Sequence, residues 1–329
     1  MMQTFKKFFL LPTIITVFLL GVVFYFGNFA ALFAVVILII LEVTLSFDNA
    51  VVNAKVLEKM DEKWQKRFIN WGIWVAVFGT RVLLPIVIVA IVSGLGMLEV
   101  LNLAIYDSET YGIKLDEAHY SIGAFGGVFL LLVALKYFID DNKDIHWIKV
   151  LEKRLKKFSS VESIEVVLAM VLLLIIAKVV PAHAVEILIA GVVGCITFVL
   201  VEGITSNMGH DAGKVASAGA GLFVYLNILD AAFSLDGVIG AFAISSNLLV
   251  IMVGLGVGAY FVRSFTVMLV EKKTLSELMY LEHGAHWAVG GLGVCMLLGL
   301  IVHIPEVIIG VIGLCFVAAA YMSSVRHIK

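Results

Sequence analysis

LEVTLSFDNAV, residues 41–51, closes a run of aliphatic and aromatic residues and places Glu42, Asp48 and Asn49 in it. A second stretch, LDAAFSLDGVI (residues 229–239), repeats the pattern 188 residues downstream. Aligned, EVTLSFDN (42–49) and DAAFSLDG (230–237) share acid-x-x-x-Ser-apolar-Asp followed by Asn or Gly. The surroundings decide how these acids are read.

The 329 residues are 62% hydrophobic and 15% charged, with a mean hydropathy of +1.08. Soluble domains lie nearer half apolar and about a quarter charged, which excludes a soluble fold. Many windows of about 20 residues are nearly free of charge, the length a helix needs to cross a bilayer core. The composition predicts an all-α, polytopic transmembrane bundle. A net charge of −2 gives no signal for nucleic acid. Cys195, Cys295 and Cys315 fall in apolar runs without C-x-x-C spacing, which argues against disulfides and thiolate metal sites. The N-terminal KKFFLLPTIITVFLL lacks a small-residue cleavage site and reads as an uncleaved helix.

Ten spans are predicted, near 8–26, 30–54, 69–93, 119–139, 163–180, 184–202, 216–244, 247–270, 285–302 and 304–322. Basic loops alternate with acidic ones along this order. KVLEKMDEKWQKRF (55–68) has five Lys or Arg, whereas the loop over 94–119 has five acids and one Lys. The positive-inside rule then predicts a multi-pass protein of the plasma (inner) membrane with both termini cytoplasmic. The organisation expected is a single transmembrane domain over 1–329. It comprises an extra helix at 1–28, a first repeat at 29–140, a basic cytoplasmic loop at 141–162, a linking hairpin at 163–205 and a second repeat at 216–322.

The two motifs lie five spans apart, an odd number, so they run in opposite directions. Each motif helix is followed by a span with one arginine, Arg81 in VFGTRVLLP and Arg263 in AYFVRSFTV. Acid helix then Arg helix, twice and inverted, is the pattern of a transporter built from inverted repeats, with its site near the midplane. In a regular helix residues six apart point about 120° apart and lie about 9 Å apart along the axis. Two acids of one motif therefore converge only where the helix unwinds. Ser46–Asn49 and Ser234–Gly237 are the expected breaks, because irregular backbone at membrane depth occurs where it lines a site.

The expected substrate-ion site comprises Glu42, Ser46, Asp48, Asn49, Asp230, Ser234 and Asp236. Glu42, Asp48, Asp230 and Asp236 would be the metal ligands, Arg81 and Arg263 would tune the site, and Asn53 and Asn227 would be peripheral ligands. Burying charge costs several kcal/mol unless it is used. Four acids and two arginines leave −2, which suits one divalent cation, and oxygen donors suit Mn²⁺, Mg²⁺ or Ca²⁺ rather than copper. The alternative role of the acids is structural, pairing with the two arginines. Lys136 and Asp140 read as a snorkelling helix end; His183, Glu186, Glu202, His210 and Asp211 read as turn chemistry. His283 and His286 lack the H-E-x-x-H of a zinc hydrolase. The segments GLGVGAY and GGLGV read as close helix packing rather than phosphate binding.

The two motifs resemble the signatures of the TerC/Alx family of integral membrane proteins, which belongs to a wider group of LysE-like transporters. The resemblance runs from about residue 30 to 322 and places the chain in an uncharacterised branch, since its basic 140–160 segment departs from the shorter TerC proteins. It implies metal-ion efflux, chiefly of Mn²⁺, an association with tellurite resistance, and Glu42, Asp48, Asp230 and Asp236 as the motif acids.

The function expected is export of a divalent cation, Mn²⁺ favoured, by a non-enzymatic transporter. It would have no permanently bound cofactor, and its partners would be the lipid bilayer, the ion and a possible homo-oligomer. No P-loop or aspartyl-phosphate motif is present to use ATP. The competing classes are an intramembrane enzyme with Asp48 and Asp236 as a dyad, and a scaffold of a metal or tellurite stress-response complex docking through the basic 143–157 segment.

Overall fold

The computed structural model describes residues 2–140, 143–206, 215–245 and 247–328; His210, Asp211 and Lys214 lie outside them. The described residues are helical with no strand. In chain order the helices are α1 (Met2–Phe8), α2 (Leu10–Phe26), α3 (Phe29–Leu45), α4 (Phe47–Glu58), α5 (Glu62–Trp74), α6 (Leu84–Ser93), α7 (Met97–Tyr106) and α8 (Ser108–Glu117). There follow α9 (His119–Ile139), α10 (Lys149–Lys156), α11 (Ile164–Val179), α12 (Ala184–Ser206) and α13 (Val215–Ile244). The last four are α14 (Leu248–Glu271), α15 (Thr274–Glu277), α16 (Leu281–Gly299) and α17 (Glu306–Ile328). A π-helical stretch, Val75–Leu83, joins α5 to α6.

Among the described residues, six helices are long and apolar enough to cross a bilayer, and eight if each of two bent pairs counts as one span. The bent pairs are α3 with α4, at 50°, and Lys149–Ser160 with α11, at 107°. Leu10–Phe26 and Met97–Tyr106 are apolar but shorter. Large apolar side chains such as Phe18, Leu174, Ile189 and Leu200 are exposed on the periphery, where a bilayer rather than water would cover them. This is the make-up of a helical membrane protein.

Helix starts follow local chemistry. Asn28, Asp61, Asp107 and Asn247 each accept a backbone N–H of the first turn of α3, α5, α8 and α14, satisfying donors that have no partner within the helix. The π-helical stretch ends just before Pro85. Proline has no N–H to give the preceding turn and its ring crowds the carbonyl four residues back, which accounts for a widened turn there.

The interior has two main apolar cores, and the motif helices pass between them. On α3 and α4, Val35 and Leu38 belong to one core and Val51, Val52 and Ala54 to the other, with Glu42 to Asn49 at the changeover. On α13 the order is reversed. Leu229, Ala232 and Phe233 lie in the core that holds Val51, and Val238 and Ala241 in the core that holds Val35. The two motif helices thus cross in opposite senses, with their polar residues at the same junction.

Candidate functional site

Ser46 separates α3 from α4. Its backbone, at φ −101° and ψ 12°, is outside the α-helical region, and its N–H still donates to the Glu42 carbonyl. The expected break in the first motif is present. The expected break at Ser234–Gly237 is absent, because α13 runs unbroken from Val215 to Ile244. A glycine inside a helix costs only about 1 kcal/mol relative to alanine, which packing readily offsets. A Cβ at Gly237 would meet only Glu42 Oε2, at an ordinary contact distance of 3.6 Å.

Glu42, on the last turn of α3, is 2% exposed. Its Oε1 accepts from Ser46 Oγ at 3.0 Å and, in a close ion pair, from Arg81 Nη2. The carboxylate is seated against α14 by Gly258, where a Cβ would come within 2.6 Å of Glu42 Cβ and Cγ. Arg81, on the π-helical stretch, also donates through Nη1 to the Ala76 carbonyl at 2.6 Å and approaches Asp230 Oδ2 at 4.0 Å. Asp230 Oδ1 accepts from Asn49 Nδ2 at 3.0 Å. One guanidinium therefore bridges Glu42 of the first motif and Asp230 of the second, and the Asn49 amide closes the link.

Asp48 sits in the first turn of α4, is buried, and accepts the Asn49 N–H at 2.9 Å. The helix N-terminus favours negative charge there. Its Oδ2 is turned towards α17, lying 3.9 Å from where a Cβ on Gly313 would be. Among the described residues no basic group pairs with it. The side chain of Asp236 lies outside the described residues, although its backbone continues α13. Among the described residues, no three His, Cys, Asp or Glu side chains are grouped so as to hold a metal ion together.

Arg263 does not mirror Arg81. Its Nη2 donates to the Phe68 carbonyl, its guanidinium lies 3.9 Å from the Phe68 ring centroid, and it packs so closely on α5 that a Cβ at Gly72 would overlap Nη2. Asn227, expected as a peripheral ligand, donates to the Phe223 carbonyl on its own helix at 2.6 Å. Asn53 is buried on α4 one turn after Asn49, and it does face the site.

A cavity of about 20 Å³ lies among these groups, lined by Ser46, Asn53, Arg81, Asp230, Arg263 and Thr266, with Phe68, Ala76, Ala259 and Val262 closing it. That is room for one or two water-sized species and no more. Thr266, buried one turn beyond Arg263, was not expected from the sequence; its place on the Arg263 face at i+3 is the signal that would have found it. Asn49 Oδ1, Asn53 Oδ1 and Ser234 Oγ are buried without a hydrogen-bond partner among the described residues, as are Arg81 Nε and Arg263 Nε. Buried polar atoms are nearly always paired, so five orphans around one junction mark a place where a polar species belongs.

Comparison with known proteins places the chain by family. No curated protein and no solved structure matches it. The family model described as "Protein of unknown function (DUF475)" matches residues 47–329, opening just beyond the Ser46 break and taking in Asp48, Arg81, Asp230 and Arg263. The chain belongs to that DUF475 family.

Proposed function

We propose that the protein is a membrane transporter that exports a divalent cation, Mn²⁺ favoured, through the junction of its two motif helices. The observation that carries this reading is the set of partnerless oxygens on the two motif helices, Asn49 Oδ1, Asn53 Oδ1 and Ser234 Oγ, of which Asn53 lines the small cavity with Asp230 and Asn49 is bonded to Asp230. Amide, hydroxyl and carboxylate oxygens are the hard donors that replace the hydration shell of such an ion. Arg81 neutralises Glu42 and Asp230 in part, so Asp48 and Asp236 supply the net negative charge that attracts a cation. The reading includes ten spans, inverted repeats, kinship with TerC/Alx proteins, a plasma-membrane location and cytoplasmic termini. The opposite passage of α3–α4 and α13 between the two cores supports the inverted repeats.

One feature of the cavity favours a second reading. Two guanidiniums and one carboxylate line it directly, and both arginines retain a partnerless Nε, an arrangement suited to a small oxyanion. Flux of divalent cations and of oxyanions into and out of proteoliposomes, at set pH gradients, separates the two. Mn²⁺ flux that falls to background in both Asp48→Asn and Asp230→Asn, with folding retained, is the expected result. Oxyanion flux lost in Arg263→Ala, without Mn²⁺ flux in the unaltered protein, would replace the cation reading. The topology is tested by cysteine labelling, with Ser108→Cys reached only from outside and Ser159→Cys only from inside.

A further inference from the structure

Outside the motif site, Glu152 on α10 is fully buried and has several partners. Its Oε2 lies 2.9 Å from His283 Nδ1 and 3.4 Å from Lys143 Nζ, and accepts the Trp147 N–H at 3.2 Å. His146 Nδ1 is 3.6 Å from the same oxygen. Oε1 accepts from Trp287 Nε1 and the Ile148 N–H, each at 3.1 Å. Burial works to raise this carboxyl, but the hydrogen bonds from His283 and Trp287 and the charges of His283 and Lys143 outweigh it, holding it at about 2. Glu152 therefore stays ionised and pins α10 to α16.

That pin fixes which way the rest of the segment faces. With Glu152 inward, Lys149, Lys153, Arg154 and Lys157 are exposed. Lys156 is half-buried and donates to the Lys143 carbonyl at 2.7 Å. Val150, Leu151, Phe158 and Val161 are exposed among the four outward cations. The stretch Lys149–Ser160 meets α11 at 107°, so it lies across the end of the bundle rather than along a span. Water alone does not favour four exposed apolar side chains, and a bilayer core does not accept four exposed cations. The boundary between the two suits both.

We propose that residues 149–161 form a docking surface for anionic phospholipid. Lys149, Lys153, Arg154 and Lys157 meet the headgroup phosphates, and Val150, Leu151, Phe158 and Val161 enter the acyl boundary. The lipid assignment stands apart from what the motif site carries. Charge complementarity selects the occupant, since every outward ionic group on Lys149–Lys157 is a cation and the one acid is turned inward and paired. Each Lys or Arg near an anionic membrane contributes about 1 kcal/mol, or about fivefold in attraction.

The test uses the full chain in nanodiscs of phosphatidylcholine with increasing phosphatidylglycerol, following hydrogen exchange of residues 149–161. Exchange is expected to slow as phosphatidylglycerol rises and to recover when salt is raised to about 1 M, where screening shortens to about 3 Å. Lys153→Ser is expected to raise the phosphatidylglycerol content needed for half-protection about fivefold. The combined Lys149→Ser, Lys153→Ser, Arg154→Ser and Lys157→Ser variant should lose the protection while its melting temperature holds, because the four side chains take no part in the inward Glu152 cluster. Equal exchange in both disc types would overturn the proposal, as would protection that survives loss of the four charges. Protection by added poly-glutamate but not by phosphatidylglycerol would give the face to an acidic protein and overturn the lipid assignment.

Discussion

The two motif helices carry the same eight-residue pattern, acid-x-x-x-Ser-apolar-Asp followed by Asn or Gly, and behave differently. The first breaks at Ser46, turns by 50° and offers Asn49 and Asn53 across the junction. The second, α13, stays helical through Ser234 and Gly237 and contributes Asp230. Their arginines diverge too. Arg81 holds an acid from each motif, whereas Arg263 caps the end of a carbonyl on α5 and stacks on Phe68. The pseudo-symmetric sequence has become an asymmetric site, with the ionic links gathered on the first half. What breaks the symmetry is the neighbourhood: the widened turn before Pro85 beside one arginine, and the Phe68 carbonyl and ring on α5 beside the other.

The largest effect expected from this asymmetry is on stability. Arg81→Ala removes the shared partner of two carboxylates, and stripping one side of a buried pair costs about 3–5 kcal/mol. Arg263→Ala loses a charge-assisted hydrogen bond and a ring contact, about 2 kcal/mol. Thermal unfolding in detergent should rank Arg81→Ala well below Arg263→Ala. Equal losses would mean that the two arginines are equivalent after all and that the asymmetry is unimportant.

Next in size is the seat of Glu42. Gly258→Ala would place a Cβ within 2.6 Å of Glu42 and within 3.3 Å of the Ile39 carbonyl, so α3 and α14 must part. Overpacking of this kind costs about 1–3 kcal/mol. Gly237→Ala meets only Glu42 Oε2, at an ordinary 3.6 Å, and adds helix propensity to α13. Its melting temperature should stay level or rise, whereas that of Gly258→Ala should fall. A fall in Gly237→Ala matching that of Gly258→Ala would show that α13 needs the freedom of glycine, restoring the break expected there.

The all-helical membrane class, the break beside Ser46 and the nearness of Asn49, Asn53, Arg81 and Asp230 were legible in the sequence. Apolar length fixes the class, and Ser–x–Asp–Asn at the foot of an apolar run marks a helix restart. The partners of Arg263 and Asn227 were not legible. A carbonyl 195 residues away at Phe68 gives no signal in the pattern around Arg263. Asn227 looked free to face the site because its return to Phe223, one turn back, depends on the rotamer that its packing allows. Among the described residues six to eight helices meet the length and apolarity needed to span, against ten read from apolar windows and checked by loop charge; α2, one of the ten, is apolar but shorter.

The smallest effect separates the two motif serines. Ser46 Oγ donates to Glu42 Oε1 at 3.0 Å, beside the Arg81 pair, so Ser46→Ala leaves one lone pair of a buried carboxylate unpaired. A hydrogen bond of that kind contributes about 1–2 kcal/mol. Ser234 Oγ is equally buried but has no partner among the described residues, so Ser234→Ala removes a desolvated hydroxyl and leaves nothing behind it unpaired. Its stability should be unchanged or slightly higher. Flux should reverse the order if Ser234 Oγ is one of the oxygens an ion meets: Ser234→Ala should weaken half-saturation for Mn²⁺ with no loss of melting temperature. Ser46→Ala should lower melting temperature first and flux only in proportion to the folded protein that remains. If Ser234→Ala changes neither stability nor half-saturation, its orphaned oxygen has no part in the site, and the ion is left to Asp48, Asn49, Asn53 and Asp230.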